Sequence, residues 1–589
     1  MKFSLIVVSL LAVFTAGAQT KNIEFNINWD DESKRCVPCD IDSKTLNVYS
    51  VQTKLLAVKG NFEFSYLINN VTSEIITLPS FIDKSNFYSN YNLDVNFGKS
   101  SNQNFMTVTT NPIYVEDGVV KLVKSMSIAV SFVSKPIQQI KAATFASESV
   151  LKSGTWFKFG VDKSGVFKLD KSALEASGVN TVNLNPNHIN IYSNHVPELP
   201  ESNNAYHPDD LVKNSIFVQG DGDGSFDASD YVLFYATGPL NESWDVGNGF
   251  NLATNSNDSL SYFYLKIDAS ESPKRIQSIS NSSGTVTNNV SSFNAVTIHE
   301  SNEVNLIDSG TNWLGEVFDI ELSHTINFNL DGLLTGSPIN IRTGLASKMS
   351  NGSCNFNVLS NGLNVDNIIG SFSSSSYDKG VNHLSDNSFS SSSENLSIQI
   401  NFTRSSPSTI GWLNKIVLNY RRNMSVSTGQ FLCRDWNSVS TSNVSMFNIS
   451  GASSATFVWD VTDPTNSKKI NGTLSGSSLS FVQETDTLRS FAVFNAVQAS
   501  VPQFINTIEN QNLHALAQAD YIIVTHSDFQ VQANRLAELH RARGLSVHVV
   551  EIQKVYNEFS CGMADPVAIR WFVKMFYDRA SANPSSAPQ

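Results

Sequence analysis

The chain has 589 residues, and its 40 lysine and arginine residues against 53 acidic residues give a formal net charge of −13. Proteins that bind nucleic acid need clustered basic residues to replace the counterions of the phosphate backbone, so this composition argues against that class of partner. At roughly 150 residues per domain, the length predicts about four domains.

The first 18 residues have the pattern of a cleaved signal peptide. Lys2 gives a basic start, residues 5–14 form a short apolar run, and Ala16 and Ala18 occupy the small-residue positions that signal peptidase recognises. The run is too short to cross a bilayer, and no later stretch reaches about 20 apolar residues. We therefore predict export with cleavage near Ala18, with a retained N-terminal anchor as the alternative.

Residues 19–145 are predicted to form a β-rich domain, because short alternating segments such as "FEFSYLI" and "MSIAVSFV" recur there. Cys36 and Cys39 form a C-x-x-C motif within this strand-like sequence. A redox site would need a βα turn and a zinc site a second cysteine pair, so a local disulfide or an inert pair is favoured. Any pairing of Cys354, Cys433 and Cys561 stays open, since they are far apart in the sequence.

Residues 146–248 are predicted to form a small α+β domain. A short helix is expected from Asp170 to about Ser177, ended by Gly178, among strands such as "HINIYS" and "YVLFYATG". Three histidines fall near Asp209 and Asp210 and invite a metal interpretation. Their irregular spacing favours surface loop residues instead; they are His188, His195 and His207.

The segment "GDGDGSFDASDY" in the same domain carries four aspartates at spacings that suit the oxygen ligands of Ca²⁺: Asp221, Asp223, Asp227 and Asp230. The EF-hand pattern fails, because Gly224 stands at the fourth place instead of the sixth and no glutamate stands at the twelfth. Two interpretations therefore stay open, a calcium site and a hairpin turn that leads into the next strand. No other cofactor is expected.

Residues 249–505 are predicted to form a β-sandwich-like domain. Serine-rich stretches such as "SFSSSSYDKG" interrupt it, but apolar strands such as "LSIQINF" flank them, which favours long surface loops over linkers.

Residues 510–589 have a different pattern, β-α-β-α, which is typical of the start of an α/β domain with a parallel sheet. The first helix follows Asp528 and carries one apolar stripe, formed by Phe529, Ala533, Leu536, Ala537 and His540. The second is capped by Asp565 and carries another, formed by Ile569, Phe572, Val573 and Phe576. Two strands cannot cover both stripes, so we expect an incomplete domain in a chain that is a fragment.

Several segments in this order resemble gingipain-type (C25) cysteine peptidases, and among them the PorU-type sortases of the type IX secretion system. The matching segments are "IENQNLHALAQADYIIVTH", "NRLAELH", "VYNEFSCGMADPVAIRWFVKMFYDR" and, upstream, "GTWFKFGVDKSGVFKLD", "DGSFDASDYVLFYATGP", "GWLNKIVLNYRR" and "FVWDVTDPTN". The resemblance implies a caspase-like peptidase domain after β-rich domains. It also implies a cell-surface enzyme that removes C-terminal signal domains from secreted cargo and attaches the cargo to lipopolysaccharide.

The same resemblance implies partners and site residues. The expected partners are cargo proteins with C-terminal signal domains, other surface components of type IX secretion and a lipopolysaccharide acceptor, at the outer membrane. In caspase-like chemistry a histidine takes the proton of the cysteine thiol and backbone N–H groups hold the oxyanion. The strands that carry this dyad are expected beyond Gln589, so no catalytic residue is expected in this chain, which should be inactive.

A local alternative is a dyad of His526 and Cys561, because both follow strands of one parallel sheet. Against it, the resemblance places Cys561 at a turn position usually occupied by serine, in a loop that caps the next helix. Arg570 and Asp565 are interpreted as helix-start residues, with a substrate role for Arg570 left open. At the level of function, a secreted β-sandwich adhesin or carbohydrate-binding protein and a released gingipain-like protease are the alternatives.

Overall fold

The computed structural model describes residues 19–29, 36–37, 39–41, 48–56, 62–77, 87–100, 103–134, 145–203, 205–245, 249–308, 310–349, 352–371 and 379–580. The chain divides into two compact units, residues 1–141 and 142–589. Within the described ranges, every helix is too short or too polar to cross a membrane. The predicted signal peptide lies outside the described residues.

The first unit is an antiparallel β structure, as the alternating sequence patterns predict. Its strands are β1 (Gln19–Asn26), β2 (Asn28–Trp29), β3 (Cys36–Val37), β4 (Cys39–Ile41), β5 (Val48–Leu55), β6 (Phe62–Ile75), β7 (Leu93–Ser100), β8 (Gln103–Thr110), β9 (Ile113–Glu116) and β10 (Val119–Ser134). One sheet has the order β1–β10–β6, with β9 also paired to β10, and a second has the order β4–β5–β8–β7. Phe25, Met106 and Ile128 are fully buried in one core shared by both sheets. The side chains of Cys36 and Cys39 lie outside the described part of the chain, so their disulfide remains a prediction.

The next region, residues 145–267, contains two small antiparallel sheets and one helix. Its elements are β11 (Thr155–Val161), β12 (Gly165–Asp170), α1 (Lys171–Ala176), β13 (Ile189–Tyr192), β14 (Lys213–Asn214), β15 (Phe217–Gln219), β16 (Tyr231–Ala236), β17 (Asn241–Asp245), β18 (Gly249–Ala253) and β19 (Ser261–Ile267). The sheet that contains β13, β19 and β11 shares a core of phenylalanines with the sheet β12–β16–β15. The predicted helix is confirmed: the Asp170 carboxylate accepts a hydrogen bond from the Ala173 N–H at 3.0 Å, and Gly178 follows with a left-handed φ of 85°.

Residues 277–495 form two β-sandwiches. Their strands are β20 (Gln277–Ile279), β21 (Asn288–Val290), β22 (Ser292–His299), β23 (Val304–Asn305), β24 (Trp313–Leu314), β25 (Val317–Phe318), β26 (Ser323–Asn329), β27 (Pro338–Lys348), β28 (Cys354–Ser360), β29 (Leu363–Ile369), β30 (Val381–Ser390), β31 (Asn395–Arg404), β32 (Ile410–Asn423), β33 (Phe431–Cys433), β34 (Val444–Ser450), β35 (Thr456–Asp460), β36 (Lys468–Ile470), β37 (Thr473–Ser475), β38 (Ser478–Glu484) and β39 (Phe491–Asn495).

Each sandwich has its own hydrophobic core. In the first, the sheets β22–β32–β27–β30 and β26–β31–β28–β29 bury Phe318, Phe356 and Leu413. In the second, the sheets β20–β36–β35–β39–β33 and β21–β34–β38–β37 bury Phe447 and Phe481, whose rings stack at 4.9 Å. Alternation along a strand shows that one face is buried but not which sheet covers it, so the sequence pattern did not separate the two cores.

The C-terminal α/β segment, residues 510–580, follows the strand β40 (Gln503–Ile508) and contains β41 (Tyr521–Thr525), α2 (Gln530–Arg541), β42 (Val547–Glu551), α3 (Ile552–Phe559) and α4 (Val567–Arg579). β40 is an edge strand beside β11, while β41 and β42 form a parallel pair. The predicted β-α-β-α order is confirmed, with one addition. The helix α3, which the sequence pattern did not predict, forms because Val555 and Phe559 lie one turn apart and are both fully buried.

The predicted apolar stripes are only partly right. In α4 the buried residues are Ala568, Trp571, Phe572, Met575 and Phe576, whereas the predicted Val573 is 39% exposed. In α2 only the small residues Ala533 and Ala537 are buried, and Phe529 and Leu536 are exposed.

The expectation that the α4 stripe needs a wider sheet is wrong. Its side chains pack in one cluster with Val555 and Phe559 of α3 and with Leu199 from the loop after β13. Burying an aromatic side chain in such a cluster contributes about 1.5–3 kcal/mol. A loop of the α+β region therefore covers part of the apolar face that we expected additional strands to cover.

Candidate functional site

The connection between β40 and β41 fixes the C-terminal α/β segment to the α+β region. The Gln511 N–H donates to the Leu151 carbonyl at 3.0 Å, and the Asn512 Oδ1 accepts from the Ser149 N–H at 2.9 Å. These bonds continue the antiparallel pairing of β40 with β11 into the loop. The loop consequently places Gln511 and His514 in contact with Glu558 of α3.

Glu558, near the C-terminal end of α3, is the centre of a buried polar network. Its carboxylate accepts hydrogen bonds from the Gln511 side chain at 2.9 Å and from the N–H groups of Leu513 and His514 at 2.8 and 3.2 Å. The His514 Nδ1 lies 2.6 Å from the Glu558 Oε2, and both side chains are completely buried. A buried carboxylate is tolerated when its lone pairs are satisfied in this way.

Two further carboxylates of the α+β region complete the network. The Asp210 carboxylate accepts from the Ser149 hydroxyl at 3.2 Å and from the Val150 N–H at 2.7 Å. Burial raises the pKa of Asp210 to about 6. The Asp209 Oδ2 accepts from the Ala146 N–H at 2.6 Å and lies 3.8 Å from the His514 Nε2.

We call this group the docking network: His514, Glu558, Asp209, Asp210 and Gln511. Burial by itself lowers the His514 pKa, but the hydrogen bond to Glu558 and the charges of Asp210, Glu558 and Asp209 outweigh burial, so the pKa is raised. His514 therefore lies between carboxylates from both sides of the contact. The arrangement stabilises one orientation of the C-terminal α/β segment on the α+β region.

A second set of polar contacts joins the same two parts. The Lys158 Nζ on β11 donates to the Gly562 carbonyl at 2.8 Å and lies 3.6 Å from the centroid of the Tyr262 ring. Burial lowers the pKa of Lys158 to about 8. Gly562 has a φ of 88°, and a Cβ there would lie 2.5 Å from the Lys158 Nζ, so this approach requires glycine.

The start of α4 makes similar contacts. Asp565 is its cap, as predicted: one carboxylate oxygen accepts from the Val567 N–H at 2.8 Å, and the other accepts from the Leu199 N–H at 2.9 Å. The Arg570 Nη2 donates to the Pro200 carbonyl at 2.8 Å. Both residues thus serve the contact with the loop after β13.

Cys561 lies in the interior of this contact. Its side chain packs with Leu151, Trp156 and Tyr264, and its Sγ lies 3.4 Å from the Tyr262 carbonyl oxygen. Burial raises the pKa of the thiol. A reactive cysteine needs an accessible thiolate, whereas this thiol is protonated and covered.

His526 lies in a different environment. Its side chain is 58% exposed, its Nδ1 accepts from the Asp528 N–H at 3.2 Å, and it begins the short turn that leads into α2. His526 contacts Asp528 and Phe529, whereas Cys561 is buried against Tyr262 and Tyr264. The structure therefore does not bring together the two residues of the alternative dyad.

The acidic segment 220–231 is a surface loop before β16 whose aspartates bind their own loop. The Asp223 and Asp230 carboxylates accept from the N–H groups of Ser225 and Asp227 at 3.0 and 2.7 Å. Asp227 accepts from the Ser225 hydroxyl at 3.3 Å, and Asp221 lies 3.7 Å from Arg275. Over the described ranges, no three His, Cys, Asp or Glu side chains are placed to share a metal ion. Calcium binding by this loop stays the untested alternative to the hairpin turn.

The assignment of the three histidines to surface loops is wrong for His207 and for His195. His195 is half-buried, but its ring stacks on Tyr235 at 6.1 Å and its Nδ1 lies 3.1 Å from the Thr237 hydroxyl; burial lowers its pKa to about 3. His207 is buried against the Trp571 ring at 3.9 Å, and burial lowers its pKa to about 4. His188 is half-buried. Irregular spacing in the sequence carried no information about these tertiary contacts.

Comparison with known proteins agrees with this architecture. The profile of peptidase family C25 matches residues 514–589. The structure of latent, dimeric PorU from Porphyromonas gingivalis superposes with a TM-score of 0.67 at 25% sequence identity, covering 74% of this chain and 41% of that one. The chain is PorU-like, and its residues 514–589 match peptidase family C25.

The PorU-like relationship extends over most of the chain, although the chain spans only about two-fifths of the PorU structure it matches. Two insecticidal toxins of Bacillus thuringiensis, the delta-endotoxin Cry8Ea1 and Cry4Aa, also match. They cover 39% of this chain and 41% of their own, at 11 and 12% identity. Their TM-scores of 0.15 and 0.14 are too low to indicate a shared fold. No curated protein matches the chain.

The docking network lies where the C25 segment meets the PorU-like β-rich region. Most of its residues were not predicted from the sequence. Lys158 gave a weak signal, since it is a charged residue inside an otherwise apolar segment, whereas Glu558 follows Asn557 and gave none. His514 lies in one of the segments that carry the resemblance to C25 peptidases, but its partners come from positions about 45 and 300 residues away. Only the folded chain reveals that these charges meet.

Proposed function

We propose that this chain belongs to a cell-surface cysteine endopeptidase of the sortase type, and that its β-rich region holds the C25 segment in a fixed position. The observation that carries the proposal is the docking network, in which the completely buried His514–Glu558 pair of the C25 segment lies beside Asp209 of the α+β region, 3.8 Å from the His514 Nε2. Direct hydrogen bonds, such as that from the Lys158 Nζ to the Gly562 carbonyl, join the same two parts. A rigid platform of this kind is what a catalytic constellation built on later strands would need.

In the finer proposal, the enzyme removes C-terminal signal domains from type IX secretion cargo and couples the cargo to lipopolysaccharide. Export through a cleaved signal peptide, a location at the outer membrane and contact with other secretion components belong to the same proposal. Its support is the likeness to PorU over 74% of the chain, together with the C25 match at residues 514–589. The buried Cys561 is not the nucleophile in this proposal.

The adhesin alternative receives less support. A carbohydrate-binding platform would place exposed aromatic side chains side by side on one face. The exposed aromatic residues of the second unit lie on separate elements instead, for example Tyr206, Trp244 and Tyr577.

Deletion of the gene in its source organism tests the proposal. Surface proteins that normally lose a C-terminal signal domain are expected to keep it, which immunoblots and mass spectrometry of their C-terminal peptides would show. Restoring the intact gene should restore cleavage, and restoring it with Glu558→Gln should restore less. Normal cargo processing in the deletion strain would contradict the sortase proposal and favour a released protease.

A further inference from the structure

A cleft in the second unit lies where the α+β region meets both sandwiches. It has a volume of about 670 Å³ and is bordered by the β11–β12 turn, the β17–β18 hairpin, β22, β32 and the residues after β33. This volume lies within the range of sites that hold small molecules. The C-terminal α/β segment contributes no residue to its lining, so the cleft is separate from the docking network.

Arg434 gives the cleft a definite chemistry. Its Nη1 forms an ion pair with Glu242 on β17, and its Cζ lies 4.0 Å from the centroid of the Phe250 ring on β18. The two contacts fix both the position and the plane of the guanidinium, which is 11% exposed. Burial lowers the pKa of Arg434 to about 10, so the group is still a cation at neutral pH.

The ion pair with Glu242 uses the Nη1 of Arg434 and leaves its Nε free for another partner. The Nε–H is buried and has no hydrogen-bond partner in the part of the chain that the structure describes, and the only side-chain bond of Arg434 there is the one from Nη1 to Glu242. Nε and Nη2 point to the same side of a guanidinium and present two parallel N–H donors. A buried Nε–H without a partner is unfavourable, and more so in a charged group.

Another arginine of the chain shows what this edge binds when it is occupied. On β27, the Arg342 Nε and Nη2 donate to the two carboxylate oxygens of Asp386 at 2.7 and 3.0 Å. This two-point geometry is the strong mode of carboxylate recognition. A phosphate is less suitable at Arg434, because the Glu242 carboxylate already lies on the same guanidinium and would repel a dianion.

A second polar atom of the lining also has no partner. The Oδ1 of Asn251, on β18, is buried and accepts no hydrogen bond from the described residues. A ligand that satisfies it must supply an N–H or O–H donor. We propose that the cleft binds a small carboxylate ligand, held by the Nε–Nη2 edge of Arg434, that also carries a hydroxyl or amide group.

Two kinds of molecule combine these groups, sugar acids and acylated amino acids, and titration calorimetry separates them. The probes are D-glucuronate and N-acetyl-L-alanine, each with its neutral counterpart, D-glucose and N-acetyl-L-alanine amide. Binding of either acid without its neutral counterpart supports the proposal and identifies the source of the carboxylate. Failure of both acids to bind, or equal binding of acid and neutral analogue, overturns it.

Three variants of the chain make the test specific to the cleft. Arg434→Lys keeps the charge but removes the two-point edge, and at least a tenfold loss of affinity is expected. Asn251→Asp leaves the contacts of Arg434 intact, so it tests the cleft even if the lysine variant folds poorly, and charge repulsion should weaken binding at least tenfold. Arg342→Lys is the matched control and should bind like the parent chain. Unchanged affinity in Asn251→Asp, or an equal loss in the control, would contradict the proposed site.

Discussion

Two groups of acidic residues in this protein differ in how far apart their members lie in the sequence and in what they contact. The aspartates of segment 220–231 stand within ten residues of one another, and in the structure they bind the N–H and hydroxyl groups of their own surface loop. The docking network draws its carboxylates from residues 209, 210 and 558, and places them around one buried histidine. The group that is conspicuous in the sequence is local, and the dispersed group joins two parts of the molecule.

The difference has a physical origin. Asp223 and Asp227 are exposed and find donors two residues away, so their contribution to stability is small. Asp230 is buried, and it too accepts its hydrogen bond from within the loop. A fully buried carboxylate has lost its water and depends on every partner the fold supplies. Sequence density of charge is therefore a poor guide to energetic importance in this chain, and four predictions test that conclusion.

The largest effect is expected at Glu558. Replacing it with glutamine removes the carboxylate nearest to the buried His514 and should cost about 3–5 kcal/mol of unfolding free energy. Limited proteolysis should then cleave within residues 510–580 faster than in the parent chain. Asp223→Ala in the acidic loop is the control, with an expected cost below about 0.5 kcal/mol. Similar losses of unfolding free energy for the two variants would show that the buried and the loop carboxylates contribute equally to stability.

Cys561 gives the next effect. Alanine at this position removes a buried sulfur from the cluster with Trp156 and Tyr264, and should cost about 1–2 kcal/mol in chemical denaturation. Iodoacetamide should alkylate this thiol in the native chain far more slowly than in the denatured chain, as peptide mass spectrometry would show. Rapid native alkylation at neutral pH would instead indicate an accessible thiolate and revive the His526–Cys561 alternative.

His207 makes the contact with α4 sensitive to acid. Its pKa is lowered to about 4 from an ordinary value near 6.5, so the unfolded chain binds a proton that the folded chain excludes, and stability falls as the pH drops from 6.5 towards 4. His207→Phe keeps a ring against Trp571 and removes the titration. The difference in unfolding free energy between variant and parent should shift in favour of the variant by about 1 kcal/mol from pH 7.5 to pH 5. A difference that does not change with pH would show that His207 is solvated.

The smallest effect is expected for calcium at the acidic loop. Because three of the four carboxylates already accept hydrogen bonds within the loop, 1 mM calcium chloride should leave the melting temperature of the parent chain within about 1 °C. A larger rise that Asp223→Ala abolishes would establish the calcium site and place this loop beside the docking network in importance.

Local sequence patterns predicted most of the order and class of the secondary structure, with α3 as an exception. Alternating β-branched and aromatic residues predicted the strands of the β-rich regions, and Asp170 and Asp565 each marked a helix start that the structure confirms. The resemblance to C25 peptidases was also carried by sequence alone. These features succeed because periodicity and capping act between residues that are close in the chain.

Contacts between residues that are distant in the sequence set which faces are covered and which charges meet. The buried stripe of α4 includes Trp571 and Met575 because a loop of the α+β region covers that side, and α3 forms because two of its apolar residues, Val555 and Phe559, are buried in the same core. His514 meets Glu558, 44 residues away, and Asp209, about 300 residues away, in one network. Burial and charge pairing depend on neighbours in space, and local sequence patterns do not specify those neighbours.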